Sequence, residues 1–150
     1  MKNVYKWYRA SRFFYEKELY FFAKLITLLI RLIFSAYIPY TAKIKKGTKF
    51  GYGGLGVVIH NRSVIGENCI IDQGVTLGGT NKIYEVPKIG DNVYLGAGAK
   101  VIGPVNIGNN VVIGANAVVV DDIPNNSLAV GVPAKIIKSN IDPNNYFDFK

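Results

Sequence analysis

From Ile59 to Val119 every sixth residue is aliphatic: Ile59, Ile65, Ile71, Leu77, Ile83, Ile89, Leu95, Val101, Ile107, Ile113 and Val119. Two positions before each stands a mostly small or β-branched residue: Val57, Ser63, Cys69, Val75, Asn81, Pro87, Val93, Ala99, Val105, Val111 and Ala117. Glycine recurs one position after, at 66, 78, 90, 96, 108 and 114. A helix repeats every 3.6 residues and a strand every 2, so a strict six belongs to neither. Six residues make one short strand plus a turn, and three such units close a triangular coil whose strands stack in parallel on the next coil. The spacing predicts three aliphatic columns inside a prism: 59, 77, 95 and 113; 65, 83, 101 and 119; 71, 89 and 107. Cys69 sits in the small-residue set and is expected to be a buried thiol packed as a small hydrophobe. Residues Thr80 to Pro87 keep the count of six but include Asn81, Tyr84 and Glu85, which predicts a loop bulging over a cleft.

Residues 5 to 40 follow a different rule. They contain no glycine, and no proline before Pro39, so one or two helices are expected, ending before Pro39. The chain thus divides into an N-terminal helical segment (1–42), a mainly β solenoid (43–138) and a C-terminal tail (139–150) that is mobile or packs in an oligomer. The apolar run from Tyr20 to Tyr37 is nearly long enough to span a bilayer but is interrupted by Lys24 and Arg31, seven apart and on one helical face.

Charge changes the picture at this end only. Residues 1 to 50 carry eleven Lys/Arg against two Glu, whereas residues 51 to 150 carry seven against eight acidic residues. The cations are threaded through aromatic and aliphatic residues, and no nucleic-acid-binding motif accompanies them. Two readings stay open: an in-plane helix on an anionic membrane, or a helical subdomain packed on a neighbouring subunit. The lone Cys69 forms no internal disulfide, and no small-residue cleavage site follows an early apolar run, which fits a cytoplasmic protein, peripheral on the inner membrane face in the first reading. One histidine and one cysteine do not make a zinc site, so a metal-free protein is expected.

That single histidine, His60, is the one side chain able to exchange a proton near neutral pH. Residue 59 belongs to the inward set, so residue 60 points outward. The glycines of "GYGGLG" are followed by neither Lys-Ser/Thr nor a helical pattern, which excludes a phosphate-cradling loop and leaves an irregular first coil.

The repeat, closing with "VGVPAKII" (Val130 to Ile137), resembles the left-handed parallel β-helix acyltransferases. The stretches "QGVTLGGT" and "PKIGDNVYLGAGAKVIG" are most similar to the serine acetyltransferase branch, over residues 50 to 137. The resemblance implies a left-handed coil, a homotrimer, and acetyl-CoA held in clefts between subunits. It implies direct acetyl transfer with histidine as general base, a role that His60 alone can fill here. It also implies that backbone groups at Gly79, Ala97 and Ala115 hold the pantetheine arm, with Lys135, Lys100 and Lys82 as candidates for the CoA phosphates. Backbone N–H groups around Gly78 and Gly79 are candidates for the oxyanion. Asp72 and Glu85, from the same or the adjacent subunit, are candidates for orienting the imidazole, as is a backbone carbonyl. Both are also acceptor-pocket candidates, with Tyr52 as a candidate stacking surface for a sugar.

The resemblance has gaps. Serine acetyltransferases carry their catalytic histidine where this chain has Gly53, and an Arg-His pair in the loop that here reads "NKIYEVP". The stretch "FGYGGLGVVIH" resembles small relatives from surface-polysaccharide synthesis. The expectation is therefore an acetyl-CoA-dependent O-acetyltransferase acting on a sugar hydroxyl, free or on a lipid-linked glycan, in surface-polysaccharide (capsule, lipopolysaccharide or exopolysaccharide) synthesis. The basic, aromatic N-terminus points the same way, because such acceptors are often lipid-linked at the inner membrane face. A serine O-acetyltransferase and a non-catalytic, membrane-recruited trimeric scaffold are the alternatives.

Overall fold

The computed structural model describes residues 3–148; the outermost residues of the helical segment (1–2) and of the tail (149–150) lie outside the described residues. Residues 43–139 wind into a three-faced prism of parallel strands. The first face is β3 (Val58–Ile59), β6 (Thr76–Gly78), β9 (Lys100–Ile102) and β12 (Val118–Val119). The second is β1 (Lys43–Ile44), β4 (Val64–Ile65), β7 (Lys88–Ile89) and β10 (Asn106–Ile107). The third is β2 (Lys49–Phe50), β5 (Ile70–Ile71), β8 (Tyr94–Leu95), β11 (Val112–Ile113) and β13 (Ser127–Gly131), closed by the antiparallel β14 (Ala134–Ser139).

Ten of the eleven aliphatic positions are buried as the period requires, and Cys69 lies among them, its thiol pushed up to about 11 by burial. Ile83 is the exception, 45% exposed. The expected columns hold only to Leu77. In the structure Ile59 stacks on Leu77, Val101 and Val119; Ile44 on Ile65, Ile89 and Ile107; and Ile71 on Leu95, Ile113 and Ala129. The residues after Gly79 leave the wall as a loop and rejoin it at Pro87. This coil is one hexapeptide longer than the others, so each later residue moves on by one face.

Turning from the second face to the third, the chain places asparagine at 68, 92, 110 and 126, each with φ between 53° and 57°. Asparagine tolerates this left-handed backbone. The side chains also bond along the prism, Asn68 to Asn92 at 3.5 Å, Asn92 to Asn110 at 3.1 Å and Asn110 to Asn126 at 3.0 Å. This edge is a structural spine. The tail returns beside it: the Ile141 N–H donates to the Asn126 carbonyl at 3.0 Å, Pro143 is buried, and Phe147 stacks on Tyr94 with ring centroids 3.3 Å apart.

Two helices cover the open N-terminal end. α1 (Val4–Glu16) starts at Asn3, whose side chain accepts from the Tyr5 N–H at 3.0 Å, and α2 (Tyr20–Phe34) ends on Ser35 at φ 51°. They meet through Ser11, whose hydroxyl donates to the Ala23 carbonyl at 2.8 Å and lies 3.1 Å from the Thr27 hydroxyl. The buried Tyr8 hydroxyl donates to the Ala42 carbonyl at 2.7 Å and accepts from the Ile44 N–H at 3.0 Å, fastening α1 to the first coil. At 1.5 Å per residue the 15 residues of α2 reach about 22 Å, short of the ~30 Å hydrocarbon core. Among the described residues no helix is long and apolar enough to cross a membrane.

Candidate active site

The residues singled out from the sequence fall on two edges of the prism. His60, Gly78, Gly79, Lys82 and Glu85 lie where the chain turns from the first face to the second, after β3 and β6. Tyr52, Asp72, Ala97 and Ala115 lie where it turns from the third face to the first, and Lys135 follows the hairpin tip that extends β13 along that same edge. One protomer therefore does not bring Gly79 together with Ala97 and Ala115. A cleft holding both sets needs an edge from each of two protomers.

On the first of these edges the ladder holds His60 in place. Its N–H donates to the Leu77 carbonyl at 2.9 Å, and its own carbonyl closes the next turn by accepting from the Ser63 N–H at 3.0 Å. With Ile59 buried in the wall, the alternation turns the imidazole outward, over the backbone of the next coil. A Cβ placed on Gly79 would stand 3.5 Å from both Cδ2 and Nε2 of the ring and 3.3 Å from Val86 Cγ1. The glycine keeps a notch open beside the one proton-exchanging group of the chain.

The imidazole pKa is lowered from its ordinary value, first by burial and then by the Arg62 charge, which favours the neutral ring. Within one protomer neither Asp72 nor Glu85 meets the ring. Asp72 lies on the other edge, accepting from the Tyr94 hydroxyl at 2.6 Å, and Glu85 stands on the exposed loop. The partner is the Arg62 backbone N–H, which donates to Nδ1 at 3.2 Å. A lone pair at Nδ1 means that the neutral ring carries its proton on Nε2.

Arg62 is the residue that sequence reasoning missed. Its Nε and Nη2 donate to the Tyr84 carbonyl at 3.1 and 2.6 Å, and its guanidinium lies 4.2 Å from the centre of the Tyr84 ring. It pins the 80–87 loop over a cleft of about 460 Å³ on the second face, lined by Thr41, Lys43, Arg62, Tyr84, Val86 and Lys88 among others, with His60 outside that lining. The available signal was a cation two residues past the only histidine, with an aromatic residue in the neighbouring loop. Substituting Arg62→Ala is expected to speed amide exchange across Tyr84–Val86 at least tenfold, with the melting temperature nearly unchanged because the loop lies outside the wall. Hydrogen–deuterium exchange with mass spectrometry and a thermal melt measure the two.

On the other edge the small residues have a packing role. A Cβ on Gly96 would lie 2.7 Å from the Ala115 nitrogen, and one on Gly114 2.7 Å from Val130 Cγ1, so successive coils close only without side chains there. Ala97 and Ala115 follow these glycines and keep the edge narrow. The Lys100 ammonium is already engaged, donating to the Gly74 carbonyl. Tyr52 is 78% exposed within the irregular Gly51–Gly54 turn, where it and Gly53 have φ of 49° and 70°. Among the described residues no group of three or more His, Cys, Asp or Glu is placed to hold a metal ion.

The bacterial transferase hexapeptide family (six repeats) matches residues 87–121. The serine acetyltransferase of Helicobacter pylori strain J99 is 43% identical over 132 residues, covering 87% of this chain and 77% of that protein. That of Bacillus pumilus strain SAFR-032 is 38% identical over 136 residues, and this chain spans only 62% of its length. The crystal structure of serine acetyltransferase from Brucella abortus strain S19 in complex with coenzyme A superposes with a TM-score of 0.86 at 32% identity, covering 91% of this chain and 55% of that one. These similarities overturn the sugar-hydroxyl expectation, which had leaned on the basic N-terminal segment and on "FGYGGLGVVIH". These relatives, which match along most of the chain, are serine acetyltransferases.

Proposed function

Because this chain belongs to the serine acetyltransferase family of left-handed β-helix, hexapeptide-repeat acyltransferases, we propose that it transfers an acetyl group from acetyl-CoA to the hydroxyl of L-serine. The observation that carries the proposal is the imidazole of His60 lying against Gly79, within the "LGGT" turn. In this reading the protein is a trimer, and the two edges described above face each other across each subunit boundary. His60, Gly78 and Gly79 of one protomer then meet Ala97, Ala115 and the Lys135 hairpin of the next, with the small residues admitting the pantetheine arm and Lys135 or Lys82 meeting the phosphates.

His60 acts as the general base. The serine oxygen attacks the thioester carbonyl as its proton passes to the imidazole; the tetrahedral intermediate, its oxyanion met by backbone N–H groups near Gly79, then expels the CoA thiolate. The imidazolium returns the proton to sulfur, leaving O-acetylserine and CoA. In the free protein the ring faces the acceptor side with Nε2–H, so this step requires the ring to give up the Arg62 amide and present a lone pair. Breaking one neutral hydrogen bond costs about 0.5–1.5 kcal/mol. A well-placed base lowers the barrier by about 3–5 kcal/mol, so the exchange is favourable overall. The base works only when unprotonated, and its pKa is depressed. The acid limb of kcat/KM is therefore expected to have its midpoint below 6.5, with full activity retained at neutral pH.

The test is an assay of purified full-length protein with acetyl-CoA and L-serine across pH 5 to 9, following CoA thiol release and identifying O-acetylserine by mass spectrometry. Formation of O-acetylserine supports the proposal. Acetyl-CoA binding by calorimetry without O-acetylserine overturns the acceptor, and no acetyl-CoA binding overturns the enzyme in favour of a scaffold.

A further inference from the structure

The inner face of α2 is spent on the fold, since Ala23, Thr27, Ile30 and Phe34 are buried against α1 and the first coil. At about 100° per residue, Phe21, Leu25, Leu28 and Leu32 project from the opposite side. All four are exposed, Phe21 by 72% and Leu32 by 69%. Phe22 and Ile33 widen this apolar strip on one flank. Lys24 and Arg31, both exposed, run along the other flank. This is the cross-section of a helix lying in an interface, with an apolar strip downward and cations at its margin.

Charge decides between occupants. The helical residues 3–40 carry six Lys/Arg against two Glu, and one of those acids, Glu16, is already bound to Arg12 at 2.7 Å. A second copy approaching through the same helices would set one strongly positive surface against another. Two acids of the solenoid, Asp91 and Glu67, lie beside Lys45 and Lys46 of the first coil at 4.0 and 3.7 Å, and no ion pair among the described residues neutralises Lys24 or Arg31 of α2. An anionic phospholipid surface supplies both the apolar depth and the negative charge. We propose that α2 seats this protein on anionic membranes through Phe21, Leu25, Leu28 and Leu32, with Lys24 and Arg31 at the headgroups. This inference does not depend on the acetyl acceptor.

The experiment is flotation of the full-length protein with vesicles of phosphatidylcholine alone and of phosphatidylcholine with 30% phosphatidylglycerol, alongside light scattering of the free protein. Wild type is expected to float with the anionic vesicles only and to be released by 0.5 M NaCl. Lys24→Glu/Arg31→Glu is expected to weaken flotation tenfold or more, and Phe21→Ser/Leu32→Ser to abolish it. Both pairs are exposed, so melting temperature and oligomeric state should stay as in wild type. Wild type that fails to float, or that floats equally with neutral vesicles, overturns the proposal. So does a Phe21→Ser/Leu32→Ser variant that loses its oligomer while floating unchanged, since the strip then belongs to a subunit interface.

Discussion

Replacing His60 with alanine is expected to lower kcat for acetyl transfer by about 10²- to 10⁴-fold, the range a positioned general base supplies. The loss should fall on kcat and kcat/KM together, because the group acts on the transition state rather than on substrate binding. The fold should be untouched. His60 joins the ladder through its backbone N–H and carbonyl, both of which alanine keeps, and its ring lies outside the aliphatic wall. Acetyl-CoA affinity by calorimetry and subunit mass by light scattering should match wild type. A His60→Ala protein that turns over at the wild-type rate would remove the imidazole from the mechanism. Another base would then be required, although no other side chain of this protein has an ordinary pKa near neutrality.

Truncating Leu77 is expected to have the largest effect on stability, and Ile83 makes the paired control. Both sit in the six-residue series, yet Leu77 is wholly buried between Ile59 and Val101 in the wall, whereas Ile83 is on the loop. Leu77→Ala should cost about 2–5 kcal/mol, the lost burial plus the cavity left among neighbours that relax only partly. Ile83→Ala should stay within about 0.5 kcal/mol of wild type, as surface substitutions usually do. Chemical denaturation read by circular dichroism measures both. Equal losses would place Ile83 inside the prism and restore the columns expected from an unbroken count.

That pair also marks how far the chain could be read without coordinates. The period of six specified the fold because each coil buries its apolar residues only by stacking on the next, so the pattern has a single economical solution. The burial of Cys69 and the irregular turn at Tyr52 and Gly53 were equally legible, the first from its place in the repeat and the second from its glycines. The outward turn of His60 followed from Ile59 pointing in. The acceptor was misjudged because a basic, aromatic N-terminus was taken as evidence about substrate, whereas similarity along most of the chain leads to serine acetyltransferases.

What the sequence by itself determined is local and periodic: which residues face inward, where the chain turns, and that one imidazole is turned outward beside a glycine-rich motif. Which column each residue joins after Leu77 was decided only by the tertiary structure, because a hexapeptide that leaves the wall preserves the count while shifting the register by one face. The same holds for the partner of His60. A backbone N–H carries no side-chain signature, so nothing in the order of residues distinguishes the Arg62 amide from Asp72 or Glu85 until the turn from His60 to Ser63 brings it to 3.2 Å from Nδ1.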